Sequence, residues 1–362
     1  MSDVYAHPST DAQPAADLLA GYTTLRLGGP AGRLVTAVSA EEIVQKVQQA
    51  QLQGEPVLVL AGGSNVVIGD QGFPGTVVLV RSRGLRVLTE DADTVTVRVE
   101  AGEPWDDFVA ATVANGWSGV ECLSGIPGSA GATPIQNVGA YGQEVAETIT
   151  GVQVYDRTDG SVGQVDAADC GFAYRSSIFK YSDRWVVLSV DFRLARSPLS
   201  GPVRYAELAR SLGVEVGGRV PLADARSTVL RLRAGKGMVL DADDPDTWSV
   251  GSFFTNPVLD REAYELLRER AADLGEPPSW PCPGDMVKVS AAWLIDKAGF
   301  AKGHPGPEGT AISSKHTLAL TNRAGGTSTA ALVGLAREIR DGVHSRFGIP
   351  LHPEPVLINC TL

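Results

Sequence analysis

Residues 125 to 144 read GIPGSAGATPIQNVGAYGQE, with glycine at 125, 128, 131, 139 and 142, small residues between them and almost no charge. Such a run offers too few side chains to pack a core of its own, yet it is too apolar for a solvated linker. It has to lie against something else. Backbone pressed flat on a large planar ligand accounts for it, because any β-carbon would intrude; a glycine-rich surface loop is the alternative. Gln136 and Asn137 add hydrogen-bonding groups within the run. A second glycine pair lies upstream, where VLVLA (57–61) reads as a short buried strand and passes directly into Gly62-Gly63-Ser64-Asn65. Two glycines at a strand end permit positive φ, which turns successive N–H groups inward as an anion nest that Ser64 and Asn65 can extend. A plain tight turn is the competing reading. The spacing fits neither G-x-G-x-x-G nor a Walker loop.

The rest of the chain supplies a scaffold for these loops. Its 362 residues, 43% hydrophobic, suffice for two or three compact units. A net charge of −11 argues against a nucleic-acid partner, while a local basic pocket for a small anion remains compatible with it. No apolar run approaches the roughly 18 residues that span a bilayer. The first 20 residues lack a charged segment followed by an apolar one, so they are expected to be a flexible, Ala/Pro-rich leader and no signal peptide. Cys122, Cys170, Cys282 and Cys360 are scattered without C-x-x-C, as suits reduced structural thiols in a cytoplasmic protein. Ser39-Ala-Glu-Glu42 predicts a capped helix with Ile43, Val44, Val47 and Ala50 on one face. TVTVRVE (94–100) predicts an alternating strand. Pro104 opens a helix carrying Trp105, Phe108, Val109 and Val113, and WVVLSVDFRL (185–194) alternates again. Residues 328–348 predict a helix with Leu332, Leu335, Ala336, Ile339 and Val343 inward, followed by a last strand near PVLI (355–358). Mixed order of this kind indicates an α+β fold.

Four further stretches carry chemistry. In FAYRSSIFK (172–180), Arg175 lies among aromatic residues, where an unpaired guanidinium is costly, so it needs an anionic partner from the protein or a ligand. RLRAGKG (231–237) brings a basic cluster with Lys236, either surface-solvated or facing an anion. In SVGSFFTNP (249–257), Ser252 lacks the G-x-S-x-G elbow of a nucleophile, because Phe254 stands at the second glycine position. Histidines at 304, 316, 344 and 352 follow it, but no strand-elbow-helix context supports a triad. Ser252 is then either a proton donor in a dry site walled by Phe253 and Phe254 or the polar head of a buried strand. Glu354, between Pro353 and Pro355, is either surface filler or a carboxylate aimed by rigid neighbours.

In this order, AGGSN, IPGSAGATPIQNVGAYG, YRSSIFK, GSFFTNP and the terminal Pro-Glu resemble the UDP-N-acetylenolpyruvoylglucosamine reductase family, from near Gly21-Tyr-Thr-Thr24 almost to the C-terminus. The resemblance implies an FAD-binding fold of the vanillyl-alcohol-oxidase/PCMH type in two α+β subdomains, with a separate α+β substrate-binding domain. The expected boundaries are a leader at 1–20, FAD subdomain 1 at 21–84 with 355–362, FAD subdomain 2 at 85–240, and the substrate domain at 241–354. The resemblance also implies an NADPH-dependent flavoenzyme that makes UDP-N-acetylmuramate for peptidoglycan. Hydride passes from NADPH to FAD and then to the substrate's C3, Ser252 protonates C2, and Arg175 and Glu354 stabilise the enolic intermediate. The FAD residues implied are Gly62, Gly63, Ser64, Asn65, Pro127, Gly128, Ser129, Gly131, Ala132, Gln136, Asn137, Gly139 and Tyr141. The substrate residues implied are Tyr174, Tyr205, Lys236, Asn256, Lys302 and His316. PVRYAELARSLG (202–213) resembles the tyrosine-bearing insertion of one subclass, which makes Tyr205 the residue that folds over the substrate; a core aromatic at a helix start is the other reading.

Two departures stand out. Many relatives end in Leu-Glu-x-Glu-Val-Arg, whereas here His352 replaces the first acid and Val356 stands where arginine is common, so Glu354 must be oriented differently. The acidic loop DADDPDTWS (241–249) is longer than in short relatives. An oxidase or dehydrogenase of another small metabolite on the same flavin fold is the second enzyme reading, and a non-catalytic nucleotide-binding module the third. No metal is expected, and the chain is expected to be a cytoplasmic monomer without a nucleic-acid or membrane partner.

Overall fold

The hydroxyl of Ser39 accepts from the Glu42 amide at 3.2 Å and opens the helix Ala40–Leu52. Glu42 reaches back to the Val38 amide, one residue beyond a closed capping box. In this computed structural model, which describes residues 18–362, the helix turns Ile43, Val47 and Ala50 inward while Val44 stays half-buried. It covers a parallel three-stranded sheet ordered Ala31–Ala37, Phe73–Val80, Val57–Leu60. The strand expected to be buried, Val57–Leu60, is an edge strand in which only Leu60 is fully buried, because all four residues line a large cavity. Beside it, Val66–Ile68 pairs in parallel with Val356–Ile358, so the chain's end returns to the strand that follows the first glycine loop.

The central layer is an antiparallel sheet ordered Val162–Asp166, Ile149–Asp156, Trp185–Arg196, Thr94–Glu100, Leu85–Glu90, with Trp117–Ser118 against the end of Trp185–Arg196. Thr94–Glu100 keeps the expected alternation, with Val95, Val97 and Val99 buried. Trp185–Arg196 does not: it is buried without a break from Val186 to Phe192. It is a central strand, paired on both edges, and the Trp105 and Phe108 rings of helix Trp105–Ala114 pack on its Phe192 at 5.7 and 5.0 Å. That helix buries Thr112 in place of the expected Val113.

A separate core holds Val250, Phe253, Phe254 and most apolar residues from Leu259 to Leu351, with Leu25, Leu27 and Val67 joining from the N-terminal part. The helix Thr329–Phe347, capped by Ser328 and ended by Gly348 at φ +72°, supplies Leu332, Leu335, Ala336, Ile339 and Val343, as expected. Two shorter helices, Ala206–Leu212 and Leu222–Gly235, form a small cluster around Cys122, Val203 and Val229. Most of the expected leader, residues 1–17, lies outside the described residues. Its last three residues are built into the fold: Leu18 bridges Pro30, the Leu19 amide donates to Gly29 O and the Ala20 amide to Gly28 O. All four cysteines are unpaired.

Candidate active site

A cavity of about 650 Å³ draws its wall from Val57–Asn65, the glycine run, residues 179–187, the stretch after helix Leu222–Gly235, Ser249–Ser252 and Glu354–Ile358. Fourteen of the expected site residues line it. They are Gly62, Gly63, Ser64, Asn65, Pro127, Gly128, Ser129, Gly131, Ala132, Gln136, Gly139, Arg175, Ser252 and Glu354. Asn137, Tyr141, Tyr174, Tyr205, Lys236, Asn256, Lys302 and His316 do not.

The two glycine loops meet each other. A β-carbon on Gly62 would stand 2.6 Å from Gly128 Cα, and one on Gly131 would stand 2.5 Å from Ala101 Cβ. At these positions the closest neighbour is therefore protein backbone or a small side chain, so the glycines let two walls touch and need no ligand to explain them. Asn65 Nδ2 donates to Gln136 Oε1 at 2.6 Å and ties the same loops a second time. Among the described residues four buried side-chain polar atoms lack a hydrogen-bond partner, and three of them belong to cavity-lining residues: Ser129 Oγ, Arg157 Nε and Arg233 Nε. Arg233 was not singled out in the sequence, although RLRAGKG contains it. Burial pushes its guanidinium down to about 10, so it stays charged, and among the described residues it makes no salt bridge, donating only to Met238 O at 2.7 Å. Unpartnered donors on the wall of a cavity that also holds the Arg233 charge fit a large anionic ligand such as the FAD diphosphate.

At another part of the wall, Arg175 Nε lies 3.2 Å from Glu354 Oε1, with side chains only 19% and 13% exposed. The protein partner expected for Arg175 is thus Glu354. Arg175 also donates to Asn137 O at 3.4 Å and Gly139 O at 2.8 Å, which binds it to the glycine run. Burial pushes the Glu354 carboxyl up, against the opposing pull of Arg175 and Lys180. What orients Glu354 without an acid at 352 or an arginine at 356 is backbone. The Glu354 amide donates to Phe253 O at 2.8 Å, Thr255 N to His352 O at 3.1 Å, and Val356 N to Asn65 O at 3.0 Å. The same ladder carries Ser252, which bridges Ala319 on its other side. Phe253 and Phe254 are fully buried in the C-terminal core and absent from the cavity wall, so they anchor the Ser252 segment, which forms isolated bridges and no strand, and do not form the walls of a dry pocket. No side chain hydrogen-bonds Ser252 among the described residues, which leaves a nucleophile without its base.

The remaining candidates sit around the cavity. Asn137 spends its amide on Glu144, Ala173 O and the Ala146 amide. Tyr174 lies between Arg175 and Lys288, whose charged ends are 5.3 and 4.7 Å from its ring centre. Asn256 Oδ1 accepts from the Ala291 amide at 2.9 Å. Tyr205 is 39% exposed, which removes the core-aromatic reading, and stands edge-on to Tyr141 at 5.5 Å. Lys236 pairs with Glu207 at 2.6 Å and lies 5.7 Å from the Tyr141 ring centre. His316 accepts from Leu318 N through Nδ1 at 3.0 Å; burial, with Lys236, Lys302 and Arg233 adding, drives it down to about 4. The acidic loop is a strap between the N-terminal and C-terminal parts. Asp246 accepts from the Ser314 amide at 2.9 Å, Lys315 pairs with Asp244, Thr24 Oγ1 donates to Ser249 O at 2.7 Å, and Arg26 stacks on Trp248 at 3.7 Å.

A cavity enclosed by two glycine loops on an α+β scaffold defines a class, and residues 31–166 match the family described as FAD binding domain. Residues 243–358 match a second family, the C-terminal domain of UDP-N-acetylenolpyruvoylglucosamine reductase. The chain is 74% identical to the UDP-N-acetylenolpyruvoylglucosamine reductase of Salinispora arenicola (strain CNS-205), with both chains covered in full. It is 57% identical to that of Thermobifida fusca (strain YX), over 95% of this chain and 97% of the other. The crystal structure of the Thermus caldophilus enzyme superposes with a TM-score of 0.64 at 25% identity, over 94% of this chain and 97% of that one. The chain belongs to the UDP-N-acetylenolpyruvoylglucosamine reductase family.

Proposed function

We propose that the protein is an NADPH-dependent flavoenzyme that reduces UDP-N-acetylglucosamine enolpyruvate to UDP-N-acetylmuramate in peptidoglycan synthesis. The observation that supports this best is a single cavity shared by the glycine loops of the FAD binding domain and by Ser252, Arg175 and Glu354. When bound, FAD supplies hydride chemistry between NADPH and the enolpyruvyl carbon. Ser64, Asn65, Ser129 and Gln136 would hold it, with Arg233 opposite its diphosphate. Ser252 gives its hydroxyl proton to substrate C2, and among the described residues no side chain hydrogen-bonds it to take that proton away beforehand. Arg175, fixed by two carbonyls and one carboxylate, holds positive charge where the enolic oxygen gains negative charge. Glu354 keeps the guanidinium in that orientation. Lys236 and Lys302, with the uncharged His316, Tyr174 and Asn256, make up the proposed substrate surface, and the positive field of the two lysines suits a UDP diphosphate.

The tyrosine-insertion subclass belongs to the same proposal: Tyr205, exposed and edge-on to Tyr141, is the ring that closes over the substrate. So do the assignments of 21–84 with 355–362 and 85–240 to two FAD subdomains and of 241–354 to the substrate domain. A cytoplasmic monomer completes the reading; among the described residues no helix is long and apolar enough to cross a membrane. Anaerobic reduction of the purified yellow protein by NADPH, followed by reoxidation on adding the enolpyruvyl substrate, is the expected result. Protein that stays colourless after refolding with FAD, or a reduced flavin that the substrate leaves reduced, would refute it.

A further inference from the structure

One ammonium serves both members of the ion pair through their backbones. Lys180 Nζ donates to Arg175 O at 3.1 Å and to Glu354 O at 3.2 Å. The two acceptors come from remote parts of the chain, one beside the glycine run and one in the terminal ladder. Arg175 has φ +53°, a left-handed conformation that is strained for a non-glycine residue and persists only where its surroundings over-determine it. The Arg175 side chain is occupied by Asn137 O, Gly139 O and the Glu354 carboxylate, so it leaves the carbonyl of that strained residue to Lys180. Lys180 is half-buried and does not line the cavity, so it acts on the pair and touches no ligand.

We propose that Lys180 is a positioning residue whose ammonium clamps the Arg175 and Glu354 backbones together, keeping guanidinium and carboxylate aligned for the reaction. This rests on the role given to that pair above. The clamp also has an electrostatic consequence. The charged and titratable groups facing Glu354 are Arg175, Lys180, Tyr174 and Tyr181. Lys180 and Arg175 both oppose the rise that burial imposes on the carboxyl. Without Lys180 only Arg175 remains, and the Glu354 carboxyl titrates at higher pH.

The test compares FAD-loaded wild type with Lys180→Met, which keeps the length of the stem and removes donors and charge. The Arg175 Nε–H resonance in a ¹H–¹⁵N spectrum, assigned by its loss in Arg175→Lys, is expected to broaden or disappear in Lys180→Met. Flavin reduction by NADPH should stay within about twofold, while reoxidation by the enolpyruvyl substrate slows roughly 10- to 100-fold, the scale of a misplaced catalytic group. The acid limb of that second half-reaction should move to higher pH. An unchanged Nε–H signal, or two half-reactions slowed alike, would overturn the proposal. If Lys180→Met does not retain FAD, Lys180→Gln decides: it keeps a neutral donor, so the Nε–H signal should survive while the acid limb shifts, and an unmoved limb overturns the clamp. Wild-type flavin that is not reoxidised by the enolpyruvyl substrate would sink the functional reading alone, and the Nε–H comparison would still judge the clamp.

Discussion

Replacing Gly62 by alanine tests how the cavity is built. The added β-carbon would meet Gly128 Cα at 2.6 Å and Gly128 C at 3.0 Å, both backbone atoms. Carbon atoms rest at about 3.5–4.0 Å, so the two loops must part by roughly 1 Å. Side-chain repacking cannot absorb this, since the obstacle is main chain. Overpacking of this kind costs about 1–3 kcal/mol. Both loops line the cavity, so the displacement should weaken FAD binding, by up to about 5- to 140-fold at roughly 1.4 kcal/mol per decade. Titration of apoprotein with FAD, followed by flavin fluorescence, measures the effect. Gly235→Ala is the control. Gly235 ends helix Leu222–Gly235 and its β-carbon would meet nothing within 4 Å, so the change should leave FAD affinity unaltered and stabilise by up to about 1 kcal/mol. A Gly62→Ala protein with wild-type FAD affinity and stability would refute the loop-contact argument.

Ser252→Ala should leave flavin reduction by NADPH nearly intact and slow substrate reduction by about 10²–10⁴-fold, the usual scale for a lost general acid; near-wild-type turnover in stopped flow would exclude the role. His316, held uncharged by burial and by Lys236, Lys302 and Arg233, titrates near 4 when folded and near 6.5 when unfolded. Between those values the unfolded chain binds more protons, so stability falls as pH drops from about 6.5 to about 4, by at most about 3 kcal/mol. Urea midpoints of His316→Gln should be less sensitive to pH in that window, and an equal slope would count against the cause given. Lys236→Ala should raise the KM for the UDP-linked substrate, whereas Glu207→Gln, which frees the same ammonium, should lower it. The pair is about one-third exposed, so thermal stability should change by no more than about 1 kcal/mol in either variant. KM values that move together would contradict competition for Lys236.

Local patterns in the chain foretold local structure well. Ser39, Pro104, Ser328 and Gly348 sit at helix ends because capping is decided within one turn of chain. Burial was legible where one face of an element meets a core, as in Thr94–Glu100, and not where tertiary context adds a second face. Trp185–Arg196 is buried from Val186 to Phe192 because it is a central strand with helix Trp105–Ala114 packed on it, and Val57–Leu60 is half-open because a cavity adjoins it. Charge followed the same division. Arg175 plainly needed a counter-ion, but only the fold identifies Glu354. Arg233 and Lys180 lay inside quoted motifs and carried no mark of their own, since burial without a carboxylate partner and donation to two remote carbonyls are properties of space.

The placement of Glu354 explains why two departures at the C-terminus are tolerated. A carboxylate can be aimed by neighbouring side chains or by its own backbone, and here the amides of 354 and 356 make the difference: Glu354 N donates to Phe253 O and Val356 N to Asn65 O. The first bond ties Glu354 to the segment that presents Ser252, and the second ties it to the loop that contacts Gly128 through Gly62. Side chains at 352 and 356 are not used in either bond, so histidine and valine there leave the aim intact. The same two bonds couple the glycine loops to Ser252 without any side chain between them. Exchanging His352 for glutamate should therefore change flavin reoxidation by the substrate no more than about threefold, within the usual scatter of a surface change of roughly ±0.5 kcal/mol. A larger gain would show that a side chain at 352 steers Glu354 after all, and that the backbone ladder is not sufficient.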